Sequence, residues 1–342
     1  MRERLLTAAA LVVVGLAVYL PPGRSGGSGD TRPTARLPLS LIREGDFDLD
    51  EFPELYDREA VGAYPTVGVA PYYLRVVDGH HYSAYTPAPA VLAVPIYAVA
   101  RLAGAGDGAA AIGWLERIAA AAVVALSVAF VFLACRRRAG WLWSVTIALV
   151  YALGTASHSL SSQALWQHGP SQLGLAVMAY GLMRGEREPR WLVFAAAAYS
   201  VAVTMRSSNL VLGAPLLVWL VWAHRDRLVA CAIAFAVPVA LLAAYYLATF
   251  GALGPSGGGF ELGLLGGFRQ TPLHEGLYGV LASPVRGLFY YSPVLLFSIA
   301  GAAIAARRRD GLLIALAVGC ALVILVAAKW FRSEERRVGK EC

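Results

Sequence analysis

Nine stretches of this chain are apolar runs almost free of charge: 5–20, 112–135, 141–157, 165–183, 191–205, 210–223, 228–250, 287–306 and 311–328. No water reaches the core of a bilayer, so a run of this kind must satisfy its own N–H and C=O groups. Helices do so within one segment, and the runs lack the short alternating pattern of barrel strands. The expected fold is therefore an all-α polytopic membrane protein with about nine transmembrane helices. A 58% hydrophobic composition and a mean hydropathy of +0.59 agree, lying far from those of a soluble domain.

Charge fixes the topology. Basic clusters fall at Arg2 and Arg4, Arg136–Arg138, 184–190, Arg225 and Arg227, and Arg307–Arg309. The positive-inside tendency places all five in the cytoplasm. That parity requires the apolar segment 88–103 not to cross; it contains Pro89 and Pro95 and reaches only about 24 Å as a helix. It is expected to lie along the outer surface, which leaves 21–111 and 251–286 as the two large outer loops. The net charge of +7 then reflects arginines facing anionic head groups and excludes a nucleic-acid partner as its cause. Cys135, Cys231 and Cys320 sit in apolar runs with no CxxC spacing, so no disulfide framework is expected.

Two terminal features stand apart. The first run follows Met1-Arg-Glu-Arg4 like a signal peptide, but Val18-Tyr-Leu-Pro-Pro22 offers no small-residue cleavage site, so it reads as an uncleaved anchor. Residues 332–342 resemble the translation of a sequencing-library adapter. They are excluded from fold reasoning as a non-native tail, and the natural chain is expected to continue beyond Phe331.

The first outer loop gathers acids: Asp30, then Asp46, Asp48, Asp50 and Glu51. A short helix is expected over 34–43, opened by Asp30 or Thr31 and stopped at Gly45. Carboxylates at a membrane surface suit proton abstraction from a hydroxyl or a cation beside a phosphate. Two plainer readings stand beside these, a helix cap for Asp30 and a solvated loop for 46–51. The other polar groups collect at the outer ends of the runs: Glu116-Arg117, His158, Gln163, Gln167-His168, Arg206 with Asn209, and Arg286. Arg206 lies between two short runs, at a depth where arginines face a cavity or an anion, unless it snorkels to the interface. His168 reads equally as an interfacial cap beside Trp166, and Glu116-Arg117 as a local ion pair fixing a helix start.

These residues resemble the GT-C glycosyltransferases, in particular the superfamily of protein mannosyltransferases and aminoarabinose transferases. The resemblance rests on Asp30 soon after the first run, Gly45-Asp46 after a juxtamembrane helix, the surface segment 88–103, and Arg117 opening the second span. Tyr151-Ala-Leu-Gly-Thr155 and Arg206 fit as well. Tyr82-Ser-Ala-Tyr-Thr-Pro87 and Arg286-Gly-Leu-Phe-Tyr-Tyr-Ser-Pro293 are similar to pieces of bacterial relatives with an uncharacterised acceptor. The chain departs from the family in having Thr31 where a Glu often follows the first acid, with Asp50-Glu51 as the Asp-Glu pair. It also lacks an acid after the third span, where Gln167-His168 stands nearby.

The resemblance implies a GT-C-like bundle with juxtamembrane helices in its first outer loop, sited in a bacterial inner membrane with its active site on the outer face. A sugar would move from a polyprenyl-phosphate donor to a hydroxyl of a glycan, lipid or protein acceptor, with inversion. Asp30 would be the base, with Asp46, Asp48 and Asp50 as further catalytic candidates. Arg206, His168, Gln167, Arg117 and Arg286 would bind substrate or phosphate. No dedicated metal-ligand spacing is visible; a divalent cation, if required, falls to Asp48, Asp50 and Glu51. The rival classes are a transporter or lipid flippase with an outward cavity, and a non-catalytic membrane assembly protein. A flippase would be marked by mid-span charges, broken helices and paired halves.

The topology is directly testable. Accessibility reporters at Asp57 and Gly254 should label from outside, and reporters at Arg137 and Arg308 from inside. Labelling of Asp57 and Arg137 from the same side would overturn the parity argument together with the surface placement of 88–103.

Overall fold

The structure, a computed structural model, describes residues 2–21, 27–57, 66–67, 70–255 and 272–330; the adapter-like tail falls outside them. In chain order the helices and strands are α1 (Arg2–Tyr19), α2 (Thr31–Arg43), β1 (Thr66–Val67), β2 (Ala70–Pro71), β3 (Leu74–Val77) and β4 (His80–Ser83). Then come α3 (Ala88–Leu102), α4 (Ala109–Cys135), α5 (Trp141–Leu153), α6 (His168–Gly185) and α7 (Arg190–Met205). The remainder are α8 (Leu210–His224), α9 (Leu228–Phe250), α10 (Leu273–Leu281), α11 (Leu288–Tyr291), α12 (Phe297–Arg307) and α13 (Gly311–Trp330). Two compact units result, one from Met1–Arg206 with Ala230–Gly257, the other from Ser207–Val229 with Gly258–Cys342.

Three helical stretches are long and apolar enough to cross a membrane: Ala109–Cys135, Ser207–Phe250 and Gly311–Lys329. Three of the other runs are helical over only part of their length, for local reasons. The run 141–157 stops as α5 at Leu153, because Gly154 follows and Ser157–Ser161 opens into a wider turn. The run 165–183 turns helical only at His168, with Pro170 in the first turn, where its missing N–H is harmless. The expected single span 287–306 is corrected: Pro293 starts a separate 3-10 turn, and α12 begins only at Phe297.

In the first unit α1, α4 and α5 share a core of Leu11, Tyr19, Val124, Phe132 and Ala148. The Tyr19 hydroxyl closes it by donating to the Ala152 carbonyl at 3.0 Å. A second core lies in the first loop, where Leu37, Leu39, Leu49, Leu55, Leu74 and Tyr97 are all but inaccessible. It encloses the juxtamembrane helix α2, whose Tyr97 contact is a 3.0 Å hydrogen bond to the Ala35 carbonyl. The helix α3 buries Pro89, Ala90, Ala93 and Tyr97 there and leaves Val91, Val99 and Leu102 exposed. Arg138, just past α4, is paired with Glu186, just past α6, at 2.6 Å. Two of the basic clusters therefore meet at one end of this unit. About 27 Å of α4 separates that end from Arg117.

In the second unit α8 meets α13 where Gly319 faces Leu212, and α10 meets α13 where Gly276 faces Ala328. Large apolar side chains point outward, with Trp222 90% and Phe297 78% exposed. Such surface is what lipid covers.

The helices α6 and α7 are joined by a seam of small residues. A Cβ at Gly174 would come within 2.9 Å of the Ala202 Cβ, and one at Gly181 within 2.9 Å of the Ala195 Cβ. Close backbone approach through small residues is how helices associate without a hydrophobic driving force between them. Gly181→Val should lower the melting temperature in detergent, at a stability cost of about 1–3 kcal/mol. Gly113→Ala in α4 has open space around the new methyl and should hold or raise it. Equal melting temperatures for the two variants would refute the seam.

Candidate functional site

The strands β3 and β4 pair in antiparallel register from Leu74↔Ser83 to Val77↔His80. They are closed by Asp78-Gly79, with φ of 53° and 91°. Positive φ at both central residues defines the tight hairpin turn that Asp-Gly favours. The pairing continues beyond the strands, Ala84 N–H donating to the Tyr73 carbonyl at 2.9 Å, so Tyr72 and Tyr85 stand opposite one another at the stem. The Tyr72 hydroxyl donates to Asp30 Oδ1 at 2.7 Å, and the carboxylate also acts on the Tyr85 phenol. Burial, then the Asp30 charge, push the Tyr85 phenol well up, which keeps it a donor. Asp30 also stands at the N-cap of α2, but its side chain makes no cap bond. The cap reading is thereby corrected, because the Tyr72 phenol takes its Oδ1.

The same unit holds a half-buried cation. Arg206 ends α7 in extended conformation, and its guanidinium bonds to His168 Nδ1 at the start of α6. Among the described residues it has no carboxylate partner. The charges of both Arg206 and Asp30 reach His168. Thr86, next to Tyr85, donates to the Thr204 carbonyl at 2.9 Å, which ties the hairpin stem to the turn bearing Arg206.

The expected Glu116-Arg117 ion pair is corrected as well. Glu116 is half-buried and accepts from the Leu165 N–H at 3.0 Å, with Thr31 near its carboxylate. Those two residues adjoin Asp30 on one side and lead into His168 on the other. Arg117 turns away to the Pro21 carbonyl at the end of α1, and to Gln163 Oε1 at 3.1 Å. A guanidinium on the last carbonyls of a helix is a favourable C-terminal contact.

The second acid cluster is bound into the loop. Ser40, fully buried, donates between Asp46 Oδ1 at 2.9 Å and the Asp48 carbonyl at 2.8 Å. Asp50 accepts from His81 N–H at 2.8 Å, from the His81 ring at 2.8 Å and from the His80 ring at 2.7 Å. His81 lies flat on Tyr56, with ring centres 3.8 Å apart. Burial pushes the Asp50 carboxyl up, but the hydrogen bonds from His81 and His80 outweigh it and hold it below its ordinary value. Asp50 in turn raises His80. Ligand atoms of Asp48, Asp50 and His80 lie within 4.8 Å of one another, a mixed oxygen and nitrogen set. His80 takes the place expected of Glu51, whose buried Oε1 has no hydrogen-bond partner among the described residues and whose carboxyl is raised by burial and by Glu44, Asp48 and Asp46. A cation there would compete with the three hydrogen bonds that Asp50 already accepts.

Gln167 is the N-cap of α6, its carbonyl accepting from Ser171 N–H at 3.1 Å. Arg286 belongs to the second unit and is exposed. Sequence reasoning missed Tyr72, Tyr85, Glu116 as an anchor, His80 and His81. The Asp-Gly pair between Leu-Arg-Val-Val and His-His-Tyr-Ser was the signal that could have located the hairpin and its two stem tyrosines.

The Asp50 pin has a pH window. A carboxylate held low contributes stability above about pH 3.9 and loses it as the pH falls through its folded value. A histidine held high contributes fully below about pH 6.5 and loses it as the pH rises through its folded value. Hydrogen exchange over 74–83, corrected for intrinsic rate, should be slowest between about pH 4 and 6.5. Asp50→Asn should flatten that minimum; a flat profile in the unmodified protein would argue against the pin.

Compared with known proteins, the chain matches no protein-family model, no curated protein and no solved structure.

Proposed function

We propose that this chain is an integral-membrane glycosyltransferase that moves a sugar from a polyprenyl-phosphate donor to an acceptor hydroxyl at the outer face of a bacterial inner membrane. In this reading the apolar runs cross the membrane, 287–306 as a broken segment rather than one helix, and the first loop, with its enclosed juxtamembrane helix, stands outside. The single observation that carries it is Arg206, a half-buried cation bonded to His168 with no carboxylate partner among the described residues, in the same unit as the Asp30 carboxylate that Tyr72 holds. A buried charge without a counter-ion is costly, and anion binding offsets that cost. A phosphate held by Arg206 and His168 would bring the anomeric carbon of its sugar to the neighbourhood of Asp30.

The chemistry then balances with these groups alone. Asp30 accepts the proton of the acceptor hydroxyl, whose oxygen forms a bond to the anomeric carbon. The bond from that carbon to the phosphate oxygen breaks, and its electron pair leaves with the phosphate, where Arg206 stabilises the charge that develops. Attack opposite the leaving phosphate inverts the carbon. Asp46 and Asp50 are engaged by Ser40 and by the two histidines, so Asp30 is the favoured base over the second cluster.

In membranes carrying the full-length protein and a polyprenyl-phosphate sugar, Asp30→Asn should lower turnover by about 10²–10⁴ while leaving expression and melting temperature near wild type. Arg206→Gln should cost about 10²–10³ in kcat. Asp50→Asn should retain most of the turnover. Full turnover in Asp30→Asn, with a folded but inert Asp50→Asn, would move the base to the second cluster. Lipid movement without any sugar transfer would favour the flippase.

A further inference from the structure

At the end of the first unit away from Arg117, the basic helix ends converge. Arg138, just past α4, meets Glu186, just past α6, at 2.6 Å. Trp141, which opens α5, donates its indole N–H to the Thr7 hydroxyl at 3.2 Å, so the start of α1 with Arg2 and Arg4 lies at the same end. Eight arginines gather there against Glu3, Glu186 and Glu188. The two glutamates past α6 are taken up within the chain. Glu186 holds Arg138, and Glu188 holds Arg184 at 3.0 Å, Arg190 at 3.0 Å and the Trp191 indole at 3.2 Å. Among the described residues, Arg2, Arg4, Arg137 and Arg187 have no carboxylate partner. Arg2, Arg4 and Arg187 are exposed and Arg137 is half-buried.

Beside these cations the surface is apolar. Leu5 and Leu6 follow Arg4, Leu142 and Trp143 follow the Arg136–Arg138 turn, and each of the four is more than half exposed. A soluble anion would satisfy the arginines and leave the leucines in water. A molecule with an anionic head and an apolar tail satisfies both, and tryptophan is the residue enriched where the two environments meet. We propose that this end of the first unit binds anionic phospholipids of the membrane, with their phosphates on Arg2, Arg4, Arg137 and Arg187 and their acyl chains over the bordering leucines. Arg137 and Arg187 each adjoin a member of the Arg138–Glu186 pair, so the internal ion pair fixes the two turns that carry them. A guanidinium is a planar fork of donors that matches a phosphate in bidentate fashion. The surface requires only that the apolar runs lie in a bilayer, and it is independent of any sugar transfer.

The test uses the full-length protein in a neutral detergent, titrated with phosphatidylglycerol or with phosphatidylcholine and read as the lipid-dependent rise in melting temperature. Phosphatidylglycerol should bind the more tightly. Its Kd should rise about 25-fold in Arg137→Gln/Arg187→Gln, at a factor of about five for each arginine near a lipid surface. Arg137→Lys/Arg187→Lys keeps the charge and should retain most of the affinity, whereas damage to packing would weaken both double variants alike. If the glutamine variant fails to fold, salt decides on the unmodified protein. Its affinity for phosphatidylglycerol should fall as salt rises from about 0.1 M to 1 M, where the screening length shrinks from about 10 Å to 3 Å. Equal affinity for the two lipids, an unchanged Kd in the glutamine variant, or an affinity indifferent to salt overturns the proposal. Displacement of the lipid by an equal concentration of inorganic phosphate would make this a free-anion site and overturn it too.

Discussion

Glu116 is the point at which the first unit is tied together. It is a half-buried carboxylate near the start of α4, with Thr31 of α2 beside it, and it accepts from the Leu165 N–H ahead of α6. One residue from Thr31 is Asp30, and three residues from Leu165 is His168. The relative placement of the two halves of the candidate site is thus set through one side chain on a third element. The next residue, Arg117, takes the carbonyl at the end of α1 and the amide of Gln163. A charged pair that would have neutralised itself locally instead fastens three neighbouring segments to α4. Buried charges are retained where each oxygen and nitrogen has a partner, and their removal leaves those partners unsatisfied.

From that anchor the hairpin β3–β4 connects the two acid clusters. Its stem supplies Tyr72 to Asp30, and its tip supplies His80 and His81 to Asp50. The clusters differ in kind. Around Asp50 the carboxylate is saturated by imidazole and backbone donors, and Asp46 and Asp48 are drawn around the buried Ser40. At Asp30 the Tyr72 phenol donates, and the half-buried Arg206 guanidinium has no acid of its own among the described residues. The first arrangement fastens a loop, and the second leaves charge available to something outside the chain.

The apolar runs were legible because helix formation in a membrane leaves a signal in composition alone, and every run holds a helix. Their ends were less legible. Gly154, Pro170 and Pro293 each shift a boundary by several residues, since a local break decides whether the last apolar turn stays helical. Gly45 was read correctly as a stop, with φ of 80° just past α2. Asp30 and Arg206 were legible as odd charges at run ends. Their surroundings were not, because Tyr72 lies 42 residues from Asp30, Arg206 lies 38 from His168 and Leu165 lies 49 from Glu116. No spacing rule spans such gaps. The hairpin is the exception, since Asp78-Gly79 was a local signal that a long polar segment hid.

Why the site keeps two opposite charges apart follows from what pairing would do. A buried salt bridge satisfies itself and offers an incoming ligand nothing until it is broken, at a cost of several kcal/mol for each uncompensated ion. The Arg206 guanidinium rests on a histidine ring and the Asp30 carboxylate on the Tyr72 phenol, so each charge is partly satisfied by a group that screens it without cancelling it. Preorganisation of this kind moves the desolvation cost from the moment of binding to the folding of the protein. The two cores provide the means: the membrane-facing one through α1, α4 and α5, and the loop core around Leu37, Leu49 and Tyr97. Their packing is what allows a chain so rich in alanine and glycine to hold a strained arrangement of charge.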